Sequence, residues 1–308
     1  GLHQGFSFLF ECVPGRAEDL YTGLPLRFIE EYRERYFLLY LHLADPHEPY
    51  DPPQGFRGWC TEIEGNYDRR DPRWMLESRR ALYDGEITAN DHWFASFLEH
   101  LEKTGVADDT LVIFMSDHGE HLGEHDLWSH NPPGYSQVLR TPLIMVYPRR
   151  LPGGVVSEEI VQNLDIMPTI LELAGADSEG LLMQGESLLP LLLASATATW
   201  DRDLAYSEEA LFKKSRSDPR PYGSVFSDRW HVLDSLFAPM KLFDVVSDPM
   251  EESPLQATRD LRRRMPEFLH DMQLAELEIW RSITGGEEVK VTLDPETISE
   301  LRALGYLE

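Results

Sequence analysis

Residues 110–128 read TLVIFMSDHGEHLGEHDLW. The first seven, TLVIFMS, form a continuous apolar run of strand length, without the alternation that a half-solvated strand would show, and so predict a strand buried on both faces. The run stops at SDHGE (116–120), where Asp117 and His118 leave the strand end together and Gly119 permits a sharp turn. A carboxylate and an imidazole fixed side by side in this way make half of a site for a divalent cation. Alone, SDHG fits an ordinary loop with a capping aspartate equally well.

Working outward, the same texture recurs on both sides. YFLLYLHL (36–43) is another apolar and aromatic run, ended by the proline-rich ADPHEPYDPP, which cannot continue a strand. TPLIMVY (141–147) predicts a third strand. Residues 17–35 read as helical, with Gly23 and Pro25 interrupting the pattern. A long helix is expected over about 79–103, stopped by Gly105, and a short one over DIMPTILELAGA (165–176), stopped near Gly175. Apolar strands alternating with helices imply an α/β fold, a largely parallel sheet sandwiched by helices. Ligands in such sheets sit beyond the carboxyl ends of the strands. The polar loops 44–53 and 116–135 both fall there.

Those loops carry two further candidates. His47 stands between two prolines in DPHEPY, which fix where its imidazole points; it can donate a hydrogen bond to an anionic oxygen or a proton to a leaving group. It can also be a loop histidine packed on Tyr50. His130 lies twelve residues past His118, beyond the turn LGEHDLW, where the chain can return towards a metal; by itself it fits a surface position as well. His121-Leu122-Gly123-Glu124-His125 spells the inverted zinc-protease motif, which needs a helix to bring both histidines onto one face. Gly119 and Gly123, with Asp126 beyond, make a poor helix, so that reading is set aside.

From about residue 200 the pattern changes. YGSVFSDRWHVLD predicts a hairpin turning near Ser227-Asp228, followed by a KLFDVV strand, a helix over 257–281 and a terminal helix after Asp294. Residues 1–199 are therefore read as one α/β catalytic portion, and 200–308 as a smaller α+β subdomain. The 308 residues are 42% hydrophobic and carry 54 acidic against 28 basic side chains, a net charge of −26. Such a surface disfavours nucleic acid and anionic membrane, and an anionic substrate needs a local positive source such as a bound divalent cation. Two cysteines, Cys12 and Cys60, build no disulfide framework, and no apolar run reaches membrane-spanning length. GLHQGFSFLFE lacks the basic start and apolar stretch of a signal peptide, and the compartment stays open.

Together, YLHLADPHEPYDPP (40–53), YDGEI (83–87), DDTLVIFMSDHGEHLGEHDLW (108–128), RTPLIMVYP (140–148), LDIMPTILELAG (164–175), QGESLLPLL (184–192), DRWHVL (228–233), LFDVVSDPMEE (242–252) and LRALGYLE (301–308) resemble, in order and spacing, the sulfatases of the alkaline phosphatase superfamily. The resemblance implies that Asp117 and His118 are metal ligands, usually for calcium. It implies that His47 contacts the sulfate and assists the leaving group. His130 falls where many relatives carry a lysine that grips the sulfate. The implied substrate is a sulfate ester, a small molecule or a sulfated glycan. A phosphodiesterase or phosphonate monoester hydrolase of the same superfamily, or a non-catalytic sulfatase-like binding protein, are the alternatives.

CVPGR (12–16) spells C-x-P-x-R, the pattern on which sulfatases oxidise a cysteine to their formylglycine nucleophile. In the family that cysteine follows a first strand ending in two acidic ligands and precedes the D-P-H-x-P-Y loop by well over a hundred residues. Here eleven residues precede Cys12 and 35 positions separate it from His47, and Gly15 stands where the family favours Ser or Ala. The segment around it instead matches the family's G-F-x-x-F stretch, so Cys12 is expected to be a decoy. The chain then corresponds to the carboxyl-terminal two-thirds of a sulfatase, with the nucleophile, its arginine and the first acidic pair expected on a missing N-terminal portion of the same protein or on another chain. Accordingly Cys12→Ala should leave hydrolysis unchanged, and mass spectrometry of the tryptic peptide should show an unmodified cysteine; a formylglycine at position 12 would overturn this placement.

Overall fold

The computed structural model describes residues 23–58, 72–130, 134–194, 200–208, 223–235, 238–256, 258–259 and 262–263. Cys12, Cys60 and the helices expected near 257–281 and after Asp294 lie outside them, apart from a few residues around 260.

Helix α1 spans Leu24–Tyr32, with Gly23 before it and Pro25 in its first turn. Proline there costs little, because first-turn amides have no helical partner, so Pro25 starts this helix rather than kinking it. Helix α2 spans Pro72–Thr104 and stops at Gly105, whose φ is 76°. Ile29 of α1 and Phe97 and Leu101 of α2 form a buried cluster, joined by Phe37, Leu39, Leu41 and Leu43.

Residues 36–43 are therefore extended, with alternate side chains on the helices, and they join no ladder among the described residues. The expected strand buried on both faces is not what forms. Phe37, Leu39, Leu41 and Leu43 face the core, while Tyr36, Leu38 and Tyr40 are exposed. The one packed face still holds this stretch in place and delivers the 44–51 loop to the middle of α2.

Strand β1 (Val112–Met115) and strand β4 (Leu143–Val146) form where the apolar runs predict them. They pair antiparallel, Val112 opposite Val146. Every ladder among the described residues is antiparallel. The α/β class holds, but the parallel direction expected for these two strands does not. The reason lies in their connection. A parallel return needs a crossover, usually a full helix. Between Met115 and Leu143 the chain instead forms a short ladder, β2 (His121–Leu122) with β3 (Trp128–Ser129), and the single turn α3 (Ser136–Leu139). Helix α4 (Ile166–Ala174) then ends on Gly175 at φ 65°, as its sequence predicts.

The second sheet runs in order β5 (Ala205–Glu208), β6 (Gly223–Phe226), β7 (Trp230–Ser235), β8 (Ala238–Asp244). Its β6–β7 hairpin turns at Ser227-Asp228 as expected, closed by the Ser227 amide donating to the Trp230 carbonyl at 2.8 Å. No helix among the described residues is long and apolar enough to cross a membrane.

The two sheets are tied through α3. The Glu251 carboxylate accepts from the Ser136 amide at 2.9 Å and the Ser136 hydroxyl at 2.6 Å, and contacts His231 Nδ1 at 2.5 Å. Glu251, Ser136 and His231 are all buried. Burial pushes the Glu251 carboxyl up, but the bonds from His231 and Ser136 outweigh it and hold the group below its usual range. A depressed carboxyl stabilises the fold at pH values above its unfolded value of 4.5 and loses that contribution as pH falls through the lower folded value. Glu251→Ala, which leaves His231 buried without its partner, should cost about 3 kcal/mol in denaturant unfolding of the full-length protein at pH 7, and clearly less well below pH 4.

Candidate active site

The site forms where the end of β1, the 44–51 loop and the β2–β3 turn meet. Helix α2 serves as its shelf. Asn90 Nδ2 donates to the Asp45 carbonyl at 3.1 Å, and Glu86 Oε1 accepts from the Asp51 amide at 2.5 Å. Tyr83 meets Tyr50 edge-on at 5.4 Å, and Arg79 pairs with Glu48. Gly85 lets the loop lie against the helix, since a Cβ there would stand 2.6 Å from the Phe56 carbonyl oxygen and 2.9 Å from Pro52. On the next turn Arg80 donates to the Leu122 carbonyl at 3.0 Å and to Glu124 at 2.9 Å, fixing the β2–β3 turn.

From these supports three imidazoles converge. The His47 and His130 rings lie 5.2 Å apart, and those of His118 and His130 lie 4.4 Å apart. His47 Nδ1 contacts the Glu48 carbonyl at 2.7 Å, which leaves Nε2 buried and without a partner among the described residues. A buried polar atom with no protein partner is costly unless a ligand meets it. Its place beside His130 makes it a candidate contact for a substrate oxygen.

Asp117 and His118 sit where the strand ends. Asp117 Oδ2 is 3.8 Å from His118 Nε2, while His118 Nδ1 contacts the Gly119 carbonyl at 2.9 Å. Donor atoms at that separation can share one divalent cation, so the pair fits half of a metal site. The Asp117 side chain is 61% exposed, open to a ligand. Asn163, which nothing in the sequence singled out, donates to the carbonyls of Ser116 and Asp117 at 3.2 and 3.3 Å and steadies this end of the strand.

A second residue the sequence reading passed over is Glu120. It is buried, and with His118 and His130 it forms a group able to hold a metal ion, its ligand atoms within 4.8 Å of one another. Glu120 Oε1 contacts His130 Nδ1 at 2.8 Å, and Oε2 accepts from the Tyr50 hydroxyl at 2.6 Å. Burial pushes the Glu120 carboxyl up, but the hydrogen bonds from His130 and Tyr50 prevail and hold it below its usual range. Burial and the Glu120 carboxylate together push the Tyr50 phenol far up. Carboxylate and phenol thus stay in the forms that keep their hydrogen bond.

The inverted zinc-protease reading fails in space as it does in sequence. His121 lies in β2, and His125 has φ 56° and stacks on Tyr135 at 3.7 Å, so no helix presents both rings on one face.

A family model described as Sulfatase matches residues 18–176, just over half of the chain. The chain belongs to the sulfatase family. A second model, N-sulphoglucosamine sulphohydrolase C-terminal, matches residues 123–276. The N-acetylglucosamine-6-O-sulfatase of Bacteroides thetaiotaomicron is 30% identical over 66% of this chain and 36% of its own length. The arylsulfatase of Clostridium perfringens is 27% identical over 79% of this chain and 53% of its own. The chain thus spans about a third to a half of these relatives. The phosphonate monoester hydrolase of Agrobacterium radiobacter superposes with a TM-score of 0.62 at 19% identity, over 87% of this chain and 64% of that one, and so shares the fold.

If Asp117 and His118 hold a cation, calcium should raise the melting temperature of the full-length protein, by the equivalent of about 2.7 kcal/mol at a hundred times its dissociation constant. Asp117→Asn should lose most of that shift while melting close to wild type without calcium, because a largely exposed carboxylate contributes little to stability without its cation. Equal calcium shifts in the two proteins would refute the assignment.

Proposed function

We propose that the protein hydrolyses sulfate esters, and that this chain supplies the cation ligands and the groups that receive the sulfate and the leaving oxygen. The observation that carries this reading is the convergence of His47, His118 and His130 from three separate stretches of sequence onto one strand end.

The division of labour follows from the contacts. Asp117 and His118 would hold a divalent cation, with calcium the best match to an exposed carboxylate at a strand end. Such a cation offsets charge on the sulfate oxygens and supplies the positive source that a chain of net charge −26 otherwise lacks there. His130, oriented through Nδ1 by Glu120, faces the same space and, when protonated on both ring nitrogens, donates from Nε2 to a sulfate oxygen. His47, fixed through Nδ1, offers Nε2 to the ester oxygen and, when protonated, gives it the proton it needs to leave. Residues 1–199 carry this chemistry, and 200–308 form a smaller subdomain that buttresses it through Glu251 and Ser136. Sulfate esters of small molecules or of glycans both suit this reading; the sugar sulfatase among the relatives favours a glycan.

The test is turnover by the full-length protein. We expect 4-nitrophenyl sulfate to be hydrolysed in preference to bis(4-nitrophenyl) phosphate. His47→Ala should lower kcat by about 100-fold, and more for alkyl sulfates, whose leaving oxygen depends more on a proton. A clear preference for the phosphodiester would overturn the choice of sulfate, and no turnover of either would favour a binding role.

A further inference from the structure

Glu120 ties together two parts of the site that the chain brings from far apart. Tyr50 belongs to the loop that carries His47, and its hydroxyl donates to Oε2 at 2.6 Å. His130 follows the β2–β3 turn, and its Nδ1 meets Oε1 at 2.8 Å. The carboxylate is buried, with a side chain 4% exposed, and Gly119 beside it is locked by its amide donating to the Val138 carbonyl at 2.7 Å. An ionised carboxylate can only accept, so the His130 nitrogen facing it is the N–H nitrogen.

We propose that Glu120 is a positioning residue that fixes His130 with its proton on Nδ1 and, through Tyr50, sets the spacing between His130 and His47. This rests on the function proposed above and assigns to Glu120 no contact with substrate. The competing role, a third cation ligand beside His118 and His130, fits the contacts less well. Both Glu120 oxygens already accept a hydrogen bond, so a cation there would have to share oxygens that His130 and Tyr50 already engage. A carboxylate that orients a working imidazole typically changes activity by about 10–100-fold on removal, without entering the chemistry.

The experiment compares Glu120→Gln, Tyr50→Phe, His130→Ala and the two double variants with His130→Ala, in the full-length protein. Kinetics with 4-nitrophenyl sulfate, calcium affinity by calorimetry and the nitrogen-15 spectrum of the histidine rings are measured on each. Glu120→Gln should lower kcat/KM by about 10–100-fold and Tyr50→Phe by less. On the His130→Ala background either change should cost no more than about twofold further, since the loss is shared. The His130 ring should lose its preference for a proton on Nδ1 in Glu120→Gln, with calcium affinity kept. Equal losses on both backgrounds, an unaltered His130 tautomer, or a fall in calcium affinity in Glu120→Gln would each overturn the proposal. If Glu120→Gln does not fold, Tyr50→Phe decides by kcat/KM and its non-additivity with His130→Ala, because it removes one hydrogen bond and leaves the carboxylate that sets the tautomer. The two readings fail separately: a tautomer that shifts as expected in a protein without turnover sinks the sulfate-ester function alone, and turnover that depends on His130 but not on Glu120 or Tyr50 sinks this inference alone.

Discussion

The arrangement depends on a place where a side chain cannot exist. A Cβ on Gly119 would stand 2.2 Å from the Gln137 carbonyl oxygen, inside any tolerable contact. Because glycine occupies it, the turn after β1 lies directly on α3, and the Gly119 amide reaches the Val138 carbonyl. That contact fixes the residues on either side, Asp117 and His118 before it and Glu120 after it. It also relays the position of α3, itself held by Glu251 from beyond the second sheet, to the site. The turn therefore has two anchors, α2 beneath the loops and α3 behind the strand end.

This division explains how a short constellation on a shallow two-stranded ladder can be specific. A ladder of four residue pairs has little rigidity of its own. Here the precision comes from polar contacts that cross long sequence distances: Asn90 and Glu86 to the 44–51 loop, Arg80 to the β2–β3 turn, Asn163 to the strand end. Further back, the buried Asp165 caps the Gln162 and Glu186 amides and pairs with Arg202, which holds the turn that carries Asn163. Each bond alone contributes modestly, about 1 kcal/mol, but each restricts a different degree of freedom of the same small volume.

What could be read from the sequence follows the range over which its causes act. The stops at Gly105 and Gly175 and the hairpin at Ser227-Asp228 are local and form as written; the apolar runs at 110–116 and 141–147 form strands, but neither is buried on both faces. His47, Asp117, His118 and His130 were legible as candidates because prolines and strand ends announce a fixed side chain. The direction of pairing between β1 and β4 was not, because it depends on the connection lacking a crossover helix. That 36–43 joins no ladder among the described residues was equally invisible, since an apolar run does not say whether a partner strand lies alongside. Glu120, Asn163 and Glu251 look like ordinary polar residues in sequence; their partners lie 10, 47 and 115 positions away. The nearest available signal for Glu120 was Tyr50, the large phenol closing the loop that begins at His47.

Among the described residues, Tyr36, Leu38 and Tyr40 stand in a row along a stretch without ladder bonds, and Ile144 and Val146 of β4 are also exposed. An extended segment with an apolar edge is the kind of surface on which other extended chains add. Opposing this is the overall charge of −26, which keeps copies of the molecule apart. The two effects differ in reach. Charge repulsion acts over roughly a Debye length, about 8 Å at physiological ionic strength and about 3 Å at 1 M, whereas apolar contact needs no long-range field and strengthens in the presence of excluded salts such as sulfate. Colloidal behaviour is thus coupled to the chemistry proposed for this chain: an accumulating sulfate product would screen the repulsion and favour burial of the row at the same time.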